Sequence, residues 1–330
     1  MPPHALAEHP LAERFHRLTP EELFPAVERT GVRCTGRFSI LNSYENRVYQ
    51  FDCEDAPAVV AKFYRPGRWS ERAILEEHSF LAALRDAAIP VACPMPLDDG
   101  ATIGETAGIL FAIFPRIQGR VPQELDDGQL RTLGGLLAKL HTVGERVQAP
   151  SRPVLSPTTY GRDNLAWLLD HQALPVEVRD VYAASVRALL ERIELLFAGV
   201  PMLRIHGDCH LGNLLWSPQG PTFVDFDDML TGPAVQDVWM LAASADEEGG
   251  RQRRVLVDAY RKVRDFSDTW LRLVEPLRAL RFIHYATWIA RRWQDPQFKR
   301  TFGHFGDVVY WQREVQDLRE QIARIDQAFN

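Results

Sequence analysis

Apolar residues fall in short β-branched and aromatic runs before about residue 118, and recur at helical spacing after about residue 127. Arg47-Val48-Tyr49-Gln50-Phe51 and Ala58-Val59-Val60-Ala61-Lys62-Phe63-Tyr64 read as strands, and the acidic, proline-ended segment from Asp52 to Pro57 suits a hairpin connection between them. From Ser70 to Asp86, Ile74, Leu75, Phe80, Leu81 and Leu84 predict a helix that Ser70 can cap and Pro90 follows. Gly108 to Phe114 reads as a buried strand running into Pro115-Arg116-Ile117-Gln118-Gly119, a natural crossover. Beyond it Leu130, Leu133, Leu136, Leu137, Leu140 and His141 share one helical face. Further helices are predicted over Val181 to Phe197, Arg251 to Val263, Trp270 to Trp293 and Val309 to Ala328. Residues Met202 to Thr231 have a different texture: the short runs Leu203-Arg204-Ile205 and Thr222-Phe223-Val224 are broken by Gly, Asp and Asn, as in loops that present chemistry from strand ends.

This pattern predicts an α+β chain of two lobes. An N-terminal extension covers 1–30, a small antiparallel-sheet lobe with one main helix covers 31–118, and a larger, mostly helical lobe covers 119–330. The 330 residues suffice for two domains with real cores, and 46% apolar with 25% charged residues is ordinary globular composition. Ile109 to Phe114 is among the longest apolar runs, far below the roughly 18–20 residues that span a bilayer. The first 18 residues mix His, Glu and Arg with single apolar residues, unlike the core of an export signal. No membrane role and a cytoplasmic setting are therefore expected. Cys34, Cys53, Cys93 and Cys209 form no CxxC pair. A net charge of −6 lacks the basic excess of a dedicated nucleic-acid binder.

Chemistry concentrates in His206-Gly207-Asp208-Cys209-His210-Leu211-Gly212-Asn213 and Phe223-Val224-Asp225-Phe226-Asp227-Asp228. Phosphoryl transfer needs a carboxylate to receive the acceptor hydroxyl proton and metal ions to offset charge. Asp208 and Asn213 stand at D-x4-N spacing, and Asp225 follows a run able to support it as a strand, giving one base and two metal ligands. A zinc or iron reading would use His206, Asp208 and His210 instead, and leaves Asn213 and Asp225 without a role.

Other parts of a nucleotide site can be sought independently. Val59-Val60-Ala61-Lys62 resembles a strand carrying a phosphate-binding lysine, and Glu77 on the following helix can pair with it. Glu76 competes for that role, but Leu81 and Leu84 at i+4 and i+7 put Glu77 beside the buried face. No Gly-x4-Gly-Lys-Ser/Thr loop occurs, and the segment from Ser39 to Arg47 has no glycine. Its turn can offer backbone N–H groups and the Ser43 hydroxyl to phosphates, or be simply a polar hairpin. The Pro115 carbonyl and Ile117 N–H can meet an adenine, with Phe114 beside them. Asp237 is expected to brace the loop of Asp208 through hydrogen bonds.

These motifs together resemble the aminoglycoside phosphotransferase and choline kinase superfamily, relatives of protein kinases. Leu41 to Phe51, Lys62-Phe63-Tyr64-Arg65-Pro66, Gly232-Pro233-Ala234-Val235-Gln236-Asp237 and, later, Ile283-His284-Tyr285, Trp288 and Ala290-Arg291-Arg292-Trp293 resemble the stress response kinase A family within it. The similarity runs from about residue 31 to about residue 320. It implies a two-lobed kinase-like fold in the cytoplasm that transfers phosphate from ATP, with Mg²⁺, to serine or threonine hydroxyls of proteins in cellular stress responses; a monomer is expected. Asp208 is then the proton acceptor, Asn213 and Asp225 the Mg²⁺ ligands, Lys62 the phosphate lysine and Ser43 a nucleotide-loop contact. Departures from ordinary protein kinases are Gly207 in place of the catalytic-loop Arg, Phe226-Asp227 after Asp225, and the lack of an Ala-Pro-Glu segment to anchor an activation loop. Two alternatives stand: a kinase for a small hydroxylated metabolite or amino alcohol, whose cation an acidic and aromatic cage of Asp227, Asp228, Glu247, Glu248 and Trp293 would hold, and a catalytically silent nucleotide-binding scaffold. Cys209 between Asp208 and His210 carries no redox assignment, because burial makes most cysteines inert.

Overall fold

A computed structural model describes residues 13–146 and 148–329; the first twelve residues of the expected extension lie outside it. The chain folds as an α+β protein in two compact units. The first comprises residues up to Leu125, with Ala149–Arg152 and His210–Met229; the second comprises Asp126–Gln148, Pro153–Cys209 and Leu230 onward. These bounds differ from lobes over 31–118 and 119–330, because three separate stretches of sequence build the first unit.

Five antiparallel strands form its sheet: β1 (Cys34–Leu41), β2 (Arg47–Cys53), β3 (Val59–Phe63), β4 (Gly104–Thr106) and β5 (Ile109–Pro115), in the order β1-β2-β3-β5-β4. The period of two decides what faces where. Val59, Ala61 and Phe63 of β3 enter one core with Phe51, Phe111 and Ile113. Helix α1 (Pro20–Glu28) closes that core with Leu23, Ala26 and Val27, so the described end of the extension is part of the unit. Lys62 has the opposite parity and lies across from Ala112, which packs with Tyr64 and Ile74. Ile74 belongs to α2 (Glu71–Asp86), where the Ser70 hydroxyl accepts from Ala73 N–H at 3.2 Å as the expected cap.

In the second unit β6 (Met202–Ile205) pairs with β9 (Leu230–Pro233), while β7 (Leu214–Ser217) and β8 (Gly220–Phe223) make a separate hairpin in the first. Its helices are α3 (Asp127–Arg146), α4 (Asp163–Asp170), α5 (Val176–Ile193), α6 (Val235–Leu241), α7 (Glu247–Tyr260), α8 (Val274–Arg291), α9 (Pro296–Thr301) and α10 (Val308–Phe329). Helix α3 approaches its neighbours through glycines. A side chain at Gly134 would strike the Leu256 carbonyl of α7, and one at Gly144 the Arg204 carbonyl of β6. The helix expected over Trp270 to Trp293 instead begins at Val274, after a 3-10 turn over Asp268–Leu273. Pro276 explains the later start, since it has no N–H to donate and fits only the first turn.

Candidate active site

In the first unit Lys62 lies among carboxylates. Its ammonium is 3.0 Å from Asp225 Oδ1, 3.1 Å from Asp227 Oδ1 and 3.9 Å from Glu77 Oε1. Burial alone would lower its pKa, but Asp225, Asp227 and Glu77 outweigh that and hold it well above the ordinary value. Glu77 is thus the helix glutamate that meets Lys62. Glu76 instead accepts from Ser151 N–H at 3.0 Å and faces Arg72 at 3.6 Å.

Two arginines, Arg152 buried and Arg68 partly exposed, complete the cluster. Arg152 donates through Nη2 to Glu77 Oε2 at 2.8 Å, through Nε to the Ala73 carbonyl at 2.9 Å and through Nη1 to the Asp227 carbonyl at 2.6 Å. Its guanidinium lies 4.3 Å from the centre of the Trp69 ring. Arg68 grips Asp227 and Asp228. Burial pushes the Asp227 carboxyl up, but Arg68, Lys62 and Arg152 together hold it well below the usual carboxylate range. Asp225 differs, with a side chain that is 56% exposed. Its backbone is left-handed at φ 58°, a conformation Asp tolerates better than most residues and one that turns the chain sharply after β8.

Hairpin register brings Asn213 beside this turn. Leu214 opposes Phe223, and Val224 N–H donates to the Asn213 carbonyl at 3.0 Å, so Asn213 just before β7 adjoins the residue preceding Asp225. His210 shapes the approach, its Nδ1 accepting from Gly212 N–H at 2.9 Å. The β1–β2 turn is more than a polar hairpin. Asn46 Nδ2 donates to Asp227 Oδ2 at 3.2 Å, its Oδ1 accepts from Arg65 N–H at 3.0 Å, and Glu45 pairs with Arg65 at 3.1 Å. Ser43 sits in that turn with its hydroxyl accepting from Asn46 N–H at 3.2 Å. Phe114 and Pro115 close β5, with Phe114 edge-on to His78, while Ile117 lies half-buried beyond the strand.

In the second unit Asp208 follows β6. The buried Asp237 carboxylate at the start of α6 accepts from His206 N–H and Gly207 N–H, both at 2.9 Å, and also meets His141 Nε2 at 3.1 Å. His141 Nδ1 lies 3.0 Å from the Tyr260 hydroxyl. Gln236 Nε2 donates to the Gly207 carbonyl at 3.1 Å, and Gly207 itself takes φ 84°, where a side chain is disfavoured. Asp237 therefore braces the loop as expected. Asp208 Oδ1 meets Arg281 Nη1 of α8 at 2.9 Å.

Sequence reasoning missed Arg68, Arg152 and Arg281, none of which lies in a local motif. It named Asp227 for a cationic cage, whereas Asp227 is the buried counter-charge of Lys62 and Arg68. Among the described residues no three His, Cys, Asp or Glu side chains converge as a metal cluster, so the zinc or iron reading finds no such arrangement.

A profile of the phosphotransferase enzyme family matches residues 38–274. Stress response kinase A of Salmonella paratyphi A is 38% identical over 308 residues, 93% of each chain. The chain belongs to this family, on its stress response kinase A branch. A protein of Salmonella typhimurium named serine/threonine protein kinase RdoA is 37% identical over the same share of both chains. Among solved structures, the amicoumacin kinase hAmiN superposes with a TM-score of 0.72 at 17% identity, covering 92% of this chain and 95% of that one. That likeness establishes a kinase-like fold.

Proposed function

We propose that this chain transfers the γ-phosphoryl group of ATP, with Mg²⁺, to serine and threonine hydroxyls of proteins, as a monomer in a cytoplasmic stress response. The observation that carries the reading is the Lys62 cluster: a buried ammonium on a strand, backed by a helix glutamate that a second cation fixes, and facing the exposed carboxylate of Asp225. The protein acceptor and the setting rest on the kinship with stress response kinase A and on the name of the RdoA relative.

The donors fit the metal. Asp225 and Asn213 offer carboxylate and amide oxygens, the hard ligands that Mg²⁺ prefers, on adjoining ends of one hairpin. The bound ion would offset phosphate charge during transfer. Lys62 would neutralise phosphate oxygens, held by Glu77. The Ser43 turn would cover the phosphates, and the Pro115 carbonyl and Ile117 N–H beside Phe114 would receive the adenine. Asp208 would accept the hydroxyl proton, and Asp237 would hold its loop ready for that step by fixing two successive N–H groups.

The amino-alcohol alternative asked for a free acidic cage. Arg68 already neutralises Asp227 and Asp228, Arg251 holds Glu248, and Trp293 packs on Phe305, so four of the five cage residues are engaged with other groups. The deciding assay supplies γ-labelled ATP, Mg²⁺, an unstructured acceptor protein and a metabolite extract to wild type and Asp208→Ala. Label on protein serine or threonine that falls about 10²–10⁴-fold in the variant is the expected result. Label confined to small molecules would reassign the acceptor. ATP consumption untouched by the substitution, together with loss of a partner interaction, would support a scaffold instead.

A further inference from the structure

Helix α8 presents an unusual charge to the residue assigned as proton acceptor. The protein carries a net charge of −6, yet Val274–Arg291 holds three arginines and one glutamate. That glutamate is committed: Glu275 pairs with Arg278 at 3.3 Å, and the Arg278 guanidinium lies 5.0 Å from the Trp239 ring centre. One turn on, Arg281 reaches Asp208 at 2.9 Å while its side chain stays 38% exposed and that of Asp208 21%. On the next turn of the same face, His284 stacks on Tyr160 with centroids 4.1 Å apart, and Tyr285 is exposed. A half-exposed guanidinium thus stands on the carboxylate that an acceptor hydroxyl must approach, with aromatic surface beside it.

An acceptor that brings a cation next to its hydroxyl meets repulsion from Arg281. One that brings an anion meets a partner able to draw the guanidinium from Asp208 and free the carboxylate oxygen for the hydroxyl. We propose that Arg281 selects the acceptor, and that the target serine or threonine is flanked within one or two residues by Asp or Glu. The inference rests on the protein-kinase reading and narrows its substrate class to acidic segments.

The test uses full-length protein, ATP with Mg²⁺, and three matched serine peptides flanked by Asp, Asn or Lys, with kcat and KM read separately. Wild type is expected to show a KM for the Asp peptide about tenfold below that for the Lys peptide, roughly the size of one partly exposed charge contact. Arg281→Ala should erase the difference and Arg281→Glu invert it. Arg281→Lys, which keeps the charge, should preserve the order and guards against a variant that fails to fold. A wild-type enzyme that uses the three peptides equally, or favours Lys, overturns the inference and leaves the kinase reading standing. Label appearing only in an added metabolite fraction, with every peptide unlabelled, overturns both.

Discussion

Glu77 divides its carboxylate between two cations, with Oε2 accepting from Arg152 at 2.8 Å and Oε1 standing 3.9 Å from Lys62. The shorter bond goes to an arginine whose other donors are tied to the Ala73 and Asp227 carbonyls. Arg152 therefore fixes the glutamate that faces the lysine.

Replacing Arg152 by Met keeps much of its volume but leaves a buried carboxylate and two buried carbonyls without their donor. Breaking a buried pair in this way costs about 3–5 kcal/mol. Urea unfolding should show that loss as a lower midpoint, and nucleotide binding should weaken with it. An unfolding free energy within about 0.5 kcal/mol of wild type, the range of an ordinary surface change, would mean that the cluster rearranges around the vacancy.

Asp237 should matter to rate more than its position outside the motif suggests. Asp237→Asn retains one acceptor oxygen and places an amide where the other stood, so one of the two loop N–H groups loses its partner. Misplacing a proton acceptor by about 1 Å can cost about 10²-fold, and phosphotransfer should fall on that scale while the KM for ATP moves little. Parallel losses in kcat and ATP affinity would point to general unfolding.

His78 gives a pH signature. Its ring lies between the Tyr64 hydroxyl at 3.2 Å and Thr102 Oγ1 at 2.8 Å, and burial, aided by Lys62 and Arg152, pushes its pKa down from 6.5 to about 3. The unfolded chain then binds a proton that the folded one refuses between those values. Stability from this group is complete above about pH 6.5 and declines as pH falls towards 3, with a slope approaching about 1.4 kcal/mol per pH unit. Denaturation midpoints at pH 7, 6, 5 and 4 should follow that slope in wild type and flatten in His78→Gln; equal slopes in the two proteins would remove His78 as the cause.

Cys209 should resist thiol reagents in the native state. It is buried, and burial, with Asp237 and Asp208 adding repulsion, pushes its thiol well above the ordinary value. Mass-mapped alkylation at pH 7.5 is expected to modify Cys209 only after denaturant is added. Rapid native labelling at this position, with loss of activity, would contradict the buried placement.

Local chemistry was legible in the sequence and long-range pairing was not. Asp208, Asn213 and Asp225 fall within 18 residues and could be read from their spacing and the apolar run before Asp225, whereas the hairpin that sets Asn213 beside the turn at Asp225 was not. Lys62 could be read from the run Val59-Val60-Ala61-Lys62, and Glu77 was separable from Glu76 because apolar residues at i+4 and i+7 mark the buried side of α2. Arg152 meets Glu77 across 75 residues, and Arg281 meets Asp208 across a comparable stretch; arginines beside Pro or Leu carry no periodic signal of burial or partner. The start of α8 was missed because apolar periodicity runs through Pro276, although the missing N–H confines that residue to a first turn.

The first unit draws on segments ending at Leu125, Arg152 and Met229. During synthesis Lys62, Arg68 and Glu77 emerge early, while Asp225 and Asp227 follow more than a hundred residues later. The nascent sheet must wait for these two nearer counter-charges until about two-thirds of the polypeptide has left the ribosome. A fragment stopped at residue 125 would retain every strand of that sheet and Glu77 but lack Asp225 and Asp227, the two carboxylates nearest its buried lysine, so a cut anywhere between residues 20 and 229 breaks the first unit.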